Sequence, residues 1–383
     1  MQRAADRLLA YIQDEHYRGY DPYDVLTSPL FRLPVLRSSR IIRFVAQQVF
    51  RRIPINARPF FAIKKGYNPV TLGLCVQAYA YLSAIRSEMR EVAAREIEFL
   101  LDELERLSSK GFHGACWGYD FDWQGRYANI PAYTPTVVAT GIISNGLVEA
   151  YRLTHNQRAL ELGQSAVEFV LNDLKRTYDG DSFCFSYSPN DTQRVFNASM
   201  KGVRLLAQVF SFTHDTRLLD AAQQAARYVI KHQRANGSWA YSEGDARTWS
   251  DNYHTAYVLD CLLEYARLTN DQTAHESIDK GFKYYRENFF QGGVLPKYYD
   301  NKLYPIDATS IAQSIITLAR FKQSEDAIRV AEWAIDNFID EKAFVYYQRM
   351  RYFTHRTSYM RWSNAWMLCA LTYLQYKLQN ELS

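Results

Sequence analysis

Two residues at the start of an apolar helical run have the types and spacing of an acid-base pair. The stretch 249–260 reads WSDNYHTAYVLD. Asp251 stands where a carboxylate can accept hydrogen bonds from the free N–H groups of a first helical turn. His254 follows one turn later on the same face, so the two side chains can share a proton. The sequence therefore predicts Asp251 and His254 as catalytic residues, and the structural alternatives are a helix cap and a packed histidine.

A second acidic pair lies in the sequence CWGYDFDWQGRY. If this segment is extended, Asp120 and Asp122 point the same way, and two close carboxylates raise the pKa of one for general acid work. The alternative is that one acid pairs with Arg126. Across a cavity from Asp251 or Asp307, a carboxylate at about 6.5 to 9.5 Å indicates an inverting glycosidase, and one at about 5 to 5.5 Å a retaining glycosidase. We therefore predict Asp120 and Asp122 as catalytic.

A third chemistry uses the cations of the sequence. Arg126, Lys297 and Arg361 could neutralise the carboxylate of a uronic acid, which makes the C5 proton of that sugar removable by a Tyr or His base. That is the chemistry of a lyase or an epimerase. Arg361, in SYMRWSNAW, could equally be an ordinary ion-pair residue between helices. Hydrolysis and uronate epimerisation or elimination therefore remain competing predictions.

Aromatic, amide and charged side chains accompany these residues at the starts of the apolar helices. Aromatic rings stack on the apolar faces of sugars while polar groups pair with hydroxyls, so this mixture is typical of a carbohydrate site. The sequence GYDPYD adds two acids from a segment that could fold over a cavity or be a capping loop. The predicted substrate-binding residues are Tyr119, Trp117, Arg126, Asn197, Tyr241, Trp249, Lys297, Asp307, Arg361, Asp21 and Asp24.

Two classes of helix alternate along the chain and must position these residues. One class is amphipathic with a charged outer face, the other is apolar on nearly every face, and the two recur together roughly every 55 to 65 residues. The predicted outer helices are 4–16, 88–107, 158–177, 216–235, 274–290 and 325–340. The predicted inner helices are 68–85, 134–154, 197–212, 252–269, 307–321 and 361–378.

This alternation predicts an all-α fold, an (α/α)6 barrel or toroid of six helical hairpins, formed by residues 1–383 as a single domain. Six antiparallel hairpins that each bury one face against their neighbours close into a ring. The links from outer to inner helices are long and aromatic, which indicates that the functional site lies on their side. The inner helices begin at this rim, so we expect their N-termini to converge on a cavity that favours an anion.

An aromatic-x-Tyr element recurs in three of the long links. It reads WGY at 117–119, FSY at 185–187 and WAY at 239–241. Tyr298 and Tyr346 stand at similar places in the last two links. The recurrence predicts that these loops are structurally equivalent around the ring.

Composition and charge exclude several classes of protein. A net charge of +4 over 383 residues is small, and no nucleic-acid-type basic tract occurs, so no nucleic-acid partner is expected. No uncharged apolar run of about 18 residues occurs, which argues against a membrane span or signal peptide and leaves the cytoplasm as the expected location. The five cysteines lack a C-x-x-C pair and fit reduced, buried thiols. No Walker loop, dinucleotide fingerprint or H-E-x-x-H occurs, so neither a metal nor a nucleotide cofactor is expected.

One segment departs from the balanced charge of the chain. Residues 32–65 contain nine Arg and Lys residues and no acid. We expect residues 17–68 to be irregular and to lie near the cavity mouth. The basic stretch could face an anionic glycan, a phosphorylated carrier or a membrane surface as a peripheral contact, and a solvated basic face is the alternative.

The chain resembles the six-hairpin α/α-toroid superfamily, which includes unsaturated glucuronyl hydrolases, sugar 2-epimerases, glucuronyl C5-epimerases and, more distantly, squalene cyclases. More narrowly, RGYDPYDVLTSP, KGYNPVTLGLCVQAY, WGYDFDWQGR and DNYHTAYVLDCL are similar to motifs of toroid proteins of no established mechanism that are associated with bacterial surface-polysaccharide biosynthesis. The Asp-x-Asp-Asp motif of squalene cyclases and the paired histidines of sugar 2-epimerases are absent.

The leading prediction is a carbohydrate-active enzyme that acts on an acidic oligosaccharide or polysaccharide. A non-catalytic glycan-binding or scaffold protein of polysaccharide assembly would use the same rim for stacking and would lack a poised proton donor. A terpenoid-cyclase-like enzyme would need a dry aromatic cavity, against which the charged residues of the rim argue.

Overall fold

Helices alternate between an inner and an outer position along nearly the whole chain. The computed structural model describes residues 1–382. Its α-helices are α1 Gln2–Asp14, α2 Pro34–Ser38, α3 Arg40–Phe50, α4 Pro69–Ile85, α5 Arg90–Leu107, α6 Val137–Thr154, α7 Gln157–Asn172, α8 Phe196–Thr213, α9 Thr216–Lys231, α10 Asn252–Thr269, α11 His275–Asn288, α12 Ala308–Arg320, α13 Ser324–Phe338 and α14 Trp366–Leu382. A π-helical turn, Met360–Ala365, precedes α14. Short 3₁₀ helices span Asp24–Thr27, Pro29–Arg32, Arg58–Phe61, Ser87–Met89 and Gln272–Ala274.

The inner helices form a closed ring. Around the ring α4 packs on α6, α6 on α8, α8 on α10, α10 on α12, α12 on α14, and α14 returns to α4. Each outer helix from α5 to α13 packs on the inner helix that precedes it, and α1 packs on α14. The predicted (α/α)6 toroid of six hairpins is therefore confirmed.

Burial separates the two classes of helix as their sequences predict. In α4 every residue from Pro69 to Ser83 is buried, because outer helices and both ring neighbours surround it. In α5 the buried residues recur every three or four positions and leave a charged outer face. They are Ala93, Ile97, Leu100, Leu101, Leu104 and Leu107.

The links on the two sides of the ring differ in length and in structure. On the short side α6, α8 and α10 end in the left-handed residues His155, His214 and Asn270. The long links carry short strands, most of which pair as antiparallel hairpins. The strands are Trp123–Gln124, Asn129–Ile130, Arg176–Asp179, Ser182–Phe185, Arg194–Val195, Ser242–Glu243, Phe290–Gln291, Leu295–Pro296, Ile306–Asp307, Gln348–Arg349 and Thr354–His355.

The segment 17–68 is more ordered than the sequence predicts. It contains α2, α3 and three 3₁₀ helices, so the expectation of an irregular segment is wrong for this part of the chain. Val25, Phe50 and Ile63 form a small apolar cluster of its own. The Gln47 side chain of α3 bonds to backbone groups of the segment and of the first long link. The segment is therefore held as a cap against the toroid.

None of the helices in residues 1–382 combines the length and the apolar character that crossing a bilayer requires.

Two glycines allow α4 and α6 to approach closely. A Cβ atom on Gly146 would overlap the carbonyl oxygen of Gly73, and one on Gly73 would lie 2.8 Å from Cα of Ile143. Gly163 in α7 is different, because its added Cβ would meet its nearest neighbours at 3.7 Å, an ordinary contact distance. Of these three glycines, Gly73 and Gly146 are required for packing and Gly163 is not.

We expect Gly146→Ala to lower the free energy of unfolding by roughly 1 to 3 kcal/mol, because the added methyl group forces α4 away from α6. The matched control, Gly163→Ala, should raise it by up to about 1 kcal/mol, since alanine favours the helix and has room. Urea unfolding followed by circular dichroism measures both values. Equal stabilities for the two variants would contradict the close approach.

Candidate active site

A cavity of about 410 Å³ opens at the rim where the inner helices begin. Its walls include residues from the first two turns of all six inner helices. One from each helix is Val70 from α4, Ile142 from α6, Asn197 from α8, His254 from α10, Thr309 from α12 and Trp366 from α14. The predicted convergence of the inner helices on one cavity is therefore confirmed.

Most of the side chains that line this cavity are aromatic or cationic. Four arginines line it, and Asp251 is the one carboxylate among the lining residues that the structure describes. Four tryptophans line it as well. The lining tyrosines are Tyr23, Tyr119, Tyr127, Tyr187, Tyr241, Tyr253, Tyr257, Tyr298 and Tyr299. Flat rings with hydroxyl edges suit a ligand that offers both apolar faces and hydroxyl groups.

Asp251 and His254 form the hydrogen bond that their spacing predicts. Asp251 caps α10, and its Oδ1 accepts the backbone N–H of His254 at 3.1 Å. Its Oδ2 lies 2.7 Å from His254 Nδ1 and also accepts the indole N–H of Trp249 at 3.2 Å. The Asp251 residue is only 2% exposed. Within residues 1–382, Nε2 of His254 has no hydrogen-bond partner, and the ring lines the cavity.

Aromatic rings enclose the imidazole of His254. The ring centroids of Tyr253 and Tyr241 lie 4.1 and 4.6 Å from that of the imidazole. Trp249, which is 41% exposed, stacks on Tyr241 with centroids 5.5 Å apart. Burial raises the pKa of Tyr241 and of Tyr253, so both hydroxyl groups stay protonated and can donate.

Asp120 and Asp122 do not form the predicted acidic pair. The chain bends at Asp120 and Phe121 instead of running extended, so the two carboxylates have different partners. Asp122 pairs with Arg43 at 2.8 Å, whereas Asp120 accepts a hydrogen bond from Asn68 at 3.1 Å and lines a second cavity. Neither lines the first cavity, and neither faces Asp251 across it.

Asp307 occupies the same position on α12 that Asp251 occupies on α10, but it does not line the cavity. Its carboxylate is fully buried and accepts the backbone N–H groups of Thr309 and Ser310. Side chains of Gln348 and Trp362 donate to Oδ2 at 2.8 and 3.1 Å. Burial raises the pKa of Asp307 to about 6. Asp307 therefore does not take the substrate-binding role that the sequence predicts. Its role is structural, because it orients Trp362, which does line the cavity.

Trp117 belongs to the core and not to the site. It is fully buried, and its indole N–H donates to the Leu104 carbonyl oxygen at 2.8 Å. Trp239 makes the equivalent bond to Val229 at 2.9 Å. In the two recurring elements that contain a tryptophan, its indole anchors the loop to the preceding outer helix. The tyrosine two residues later lines the cavity in all three elements, as Tyr119 does.

The predicted cations divide between the cavity and its surroundings. Arg126 is exposed and lies at the cavity mouth. Lys297 does not line the cavity, because its Nζ donates to the carbonyl oxygen of Asp300 at 2.5 Å within its own loop. Lys297 therefore does not take the substrate-binding role that the sequence predicts.

A second cavity, of about 380 Å³, contains the predicted acids of the N-terminal segment. Asp21 accepts two hydrogen bonds from Arg361 at 2.6 and 3.0 Å, and Asp24 pairs with Arg58 at 2.8 Å. Burial raises the pKa of Asp24 and of Asp120 to about 7 each. Asp21 and Asp24 therefore lie outside the first cavity. They do not take the substrate-binding role there that the sequence predicts.

Arg361 is the wall between the two cavities and lines both. Its guanidinium group lies 4.7 Å from the Tyr119 ring centroid and 5.0 Å from that of Trp362. The ion pair with Asp21 fixes it from behind. Both readings of the sequence hold in part, because Arg361 is an ion-pair residue that also faces the cavity.

Six of the predicted binding residues line the first cavity, namely Tyr119, Arg126, Asn197, Tyr241, Trp249 and Arg361. Further lining residues that the sequence-based prediction missed include Tyr23, Arg51, Tyr253 and Tyr257. Tyr257 follows His254 by three residues in NYHTAY, so helical periodicity could have placed it on the same face. Within residues 1–382, no group of three or more His, Cys, Asp or Glu side chains is arranged to hold a metal ion.

A buried lysine lies directly behind the cavity wall. Lys201 of α8 is almost fully buried, and its Nζ lies 3.7 Å from the ring centroid of Tyr257. Burial lowers the pKa of Lys201 to about 7. The contact with Tyr257 stabilises the charged form against this desolvation.

The comparisons with known proteins agree with the fold. No model of a known protein family matches the sequence, and no curated protein matches it. Cellobiose 2-epimerase from Bacillus thermoamylovorans has a similar structure, with a TM-score of 0.61 at 11% identity over 81% of this chain and 90% of that one. A GH76 α-mannanase from Bacteroides thetaiotaomicron gives 0.61 at 14% identity, over 82% and 88%. Unsaturated glucuronyl hydrolase from Bacillus sp. GL1 gives 0.58 at 12%, over 83% and 88%. The class that the fold defines is the (α/α)6 toroid.

The raised pKa of Asp120 predicts a pH-dependent stability. Because folding favours the protonated carboxyl, its contribution is greatest at low pH and is lost as the pH rises from about 4 to about 7. Asp120→Asn keeps the acceptor for Asn68, so we expect it to reduce the loss of unfolding free energy between about pH 5 and about pH 8 by on the order of 1 to 3 kcal/mol.

Urea unfolding at the two pH values measures this difference. Asp122→Asn is the charge-matched control, because that carboxylate is 42% exposed and pairs with Arg43 near the surface. This variant should lose as much unfolding free energy as the wild type does between about pH 5 and about pH 8. An identical pH dependence in Asp120→Asn and the wild type would contradict the assignment.

Proposed function

We propose that the protein is an acid-base enzyme that epimerises or eliminates at a uronic acid residue of an acidic glycan. One observation carries the proposal: a buried carboxylate, Asp251, holds Nδ1 of His254, while the same imidazole lines an aromatic cavity and its Nε2 has no hydrogen-bond partner in residues 1–382. An imidazole oriented in this way can take a proton and return it.

The proposed step begins with removal of the C5 proton of the uronate. Nε2 of His254 takes the proton, and Asp251 stabilises the imidazolium that forms. For epimerisation, a protonated tyrosine hydroxyl of the cavity wall donates its proton to the opposite face of C5. The imidazolium then loses its proton to solvent and the tyrosinate regains one, which restores both groups and gives the epimer. Cleavage of the C4–O bond, with the proton passing to the leaving oxygen, gives a 4,5-unsaturated product instead.

Hydrolysis by two carboxylates receives less support from the geometry. Both forms of that reaction need a second carboxyl group across the sugar. Asp120 faces the second cavity and Asp307 is enclosed by its own partners. Proton transfer by a histidine needs only one carboxylate, which is what the lining of the first cavity offers.

The charge of the cavity supports an acidic substrate. Asp251 is the one carboxylate among the lining residues that the structure describes. Of the four lining arginines, Arg247 and Arg361 are paired with Asp245 and Asp21 behind the wall. Arg51 and Arg126 have no carboxylate partner within residues 1–382 and leave the lining with excess positive charge. The N-termini of the inner helices add partial positive charge at the same rim. A sugar carboxylate placed there is stabilised, and its C5 proton becomes more acidic.

The proposed biological setting is bacterial surface-polysaccharide metabolism in the cytoplasm. The four quoted motifs support the setting by resemblance, and the similar structures include enzymes whose names refer to an epimerase, a mannanase and a glucuronyl hydrolase. Five buried cysteines without disulfides are compatible with a reducing compartment.

A second candidate function is glycan binding without turnover, which the aromatic walls favour. The exposed ring of Trp249 stacks on the partly buried Tyr241 and offers a face on which a sugar ring could lie. This candidate and the enzyme differ in what His254 does, because a binding protein has no use for its proton.

Replacement of the pair tests the enzyme. We expect Asp251→Asn and His254→Ala to lower kcat on uronate-containing oligosaccharides by about 10²- to 10⁴-fold, because the proton-transferring group is misoriented or absent. Deuterium incorporation at C5 from heavy water reports epimerisation, ultraviolet absorbance reports unsaturated products, and a reducing-end assay reports hydrolysis.

His275→Ala is the control, since this exposed histidine at the start of α11 lies outside the cavity. It should keep wild-type activity. Turnover that survives in both Asp251→Asn and His254→Ala would remove these residues from the reaction. Saturable binding by the wild type with no product in any of the three assays would favour the binding protein.

Stacking at the mouth makes a separate prediction. Trp249→Ala should weaken oligosaccharide binding by roughly 3- to 10-fold, as expected for loss of one aromatic contact. Isothermal titration calorimetry measures the affinity, with Tyr352→Ala as the control because Tyr352 is highly exposed and does not line the cavity. Equal affinities for Trp249→Ala and the wild type would place the sugar elsewhere.

A further inference from the structure

Helix α3 carries its apolar side chains on the outside. Ile41, Val45 and Val49 follow at intervals of four residues, so they share one face, and all three are exposed, Ile41 by 77%. The opposite face buries the polar side chain of Gln47 beside Phe50. This order is the reverse of that in a surface helix whose apolar face packs on a protein core.

Exposed apolar side chains are concentrated in the segment that contains α3. Nine of the sixteen exposed large apolar side chains in the described chain lie between residues 30 and 60. Val35 and Phe60 are 72% and 87% exposed. We call this set the α3 patch, and it consists of Leu30, Leu33, Val35, Ile41, Ile42, Val45, Val49, Ile55 and Phe60. A concentration of this kind marks a surface that contacts another apolar phase.

The segment that carries the α3 patch has a packed interior of its own. Val25, Phe50 and Ile63 form a buried cluster, with further apolar residues packed around it. The buried Arg58–Asp24 pair and the bonds of Gln47 fix the same segment. The exposed apolar side chains therefore stand on a well-packed base.

The segment that carries the α3 patch also carries unpaired cations, of which Arg32 and Lys64 line the second cavity. No acidic residue occurs between 25 and 65. Five exposed cations of this stretch have no ion-pair partner within residues 1–382, namely Arg32, Arg37, Arg40, Arg52 and Lys64. A surface that combines exposed apolar side chains with unpaired cations is complementary to the headgroups and acyl chains of an anionic membrane.

We propose that the α3 patch docks the protein on an anionic lipid bilayer, with the apolar face of α3 in the headgroup–acyl boundary. Association of two copies through this face is disfavoured, because a symmetric interface would bring the unpaired cations of both copies together without an acid between them. The bilayer offers the opposite charge and an apolar layer at the same place.

Docking in this way holds the cavity mouth beside the membrane. Phe44 and Gln48 of α3 line the first cavity on a face of the helix next to the patch, and Arg51 directly after the helix lines it as well. The proposal itself does not rest on the proposed enzyme activity, since lipid binding is measured without a substrate.

Co-sedimentation with vesicles tests the proposal. We expect the full chain to pellet with vesicles of equimolar phosphatidylglycerol and phosphatidylcholine, to bind vesicles of phosphatidylcholine alone more weakly, and to be released partly by salt. The triple variant Ile41→Gln/Val45→Gln/Val49→Gln should stay in the supernatant with both, because glutamine suits an exposed helix but not the acyl region.

A charge variant separates the two contributions. Arg37→Gln/Arg40→Gln keeps the apolar face and should lower the partition coefficient on the anionic vesicles by roughly tenfold or more. Tyr178→Gln is the control, because it removes an exposed aromatic ring outside the α3 patch, and it should bind as the wild type does.

Circular dichroism of each variant confirms that the fold is retained. A wild type that stays in the supernatant with the anionic vesicles would overturn the proposal. So would a wild-type dimer that the triple variant converts to a monomer in sedimentation velocity without vesicles, since the patch would then cover a second copy. Equal pelleting of the wild type and the folded triple variant would also overturn it.

Discussion

The closure of six inner helices into one ring is the constraint on which the site depends. Contact of α14 with α4 brings residues from both ends of the chain to one rim. Because every inner helix starts at that rim, its first turns face the same space, and their free N–H groups must be capped there. Asp251 meets this requirement on α10 and at the same time holds His254. The carboxylate that the fold needs as a cap is thus also the one that the proposed chemistry needs.

Periodicity in the sequence was sufficient for the fold, because a helix surrounded on all sides differs in composition from one with a solvent face. The same argument placed Asp251 and His254, since their relation is set inside one helix. It failed where a side chain's direction depends on a second segment. Asp307 has the same capping position, yet Gln348 from a distant loop encloses its carboxylate. The bend at Asp120 is likewise a property of the loop and its contact with Asn68, which no local pattern shows.

The segment 17–68 was the least predictable part for a related reason. Its prolines and its run of cations predict irregular chain. The helical pattern of α3 is present but inverted, so it does not indicate a core-facing helix. Once folded, the segment separates two environments. Asp21 and Asp24 stay in the second cavity with their arginine partners, whereas Arg51 and Tyr23 reach the aromatic one.

The ion pair between Asp21 and Arg361 joins residues 340 positions apart. During synthesis Asp21 leaves the ribosome long before Arg361 is translated, so the wall between the cavities cannot form until Arg361 has emerged as well. Until then the apolar surfaces of the earlier inner helices lack the neighbour that closes the ring. Contacts of such long sequence separation form slowly. The nascent protein therefore has an extended period in which its future core is open to chaperones.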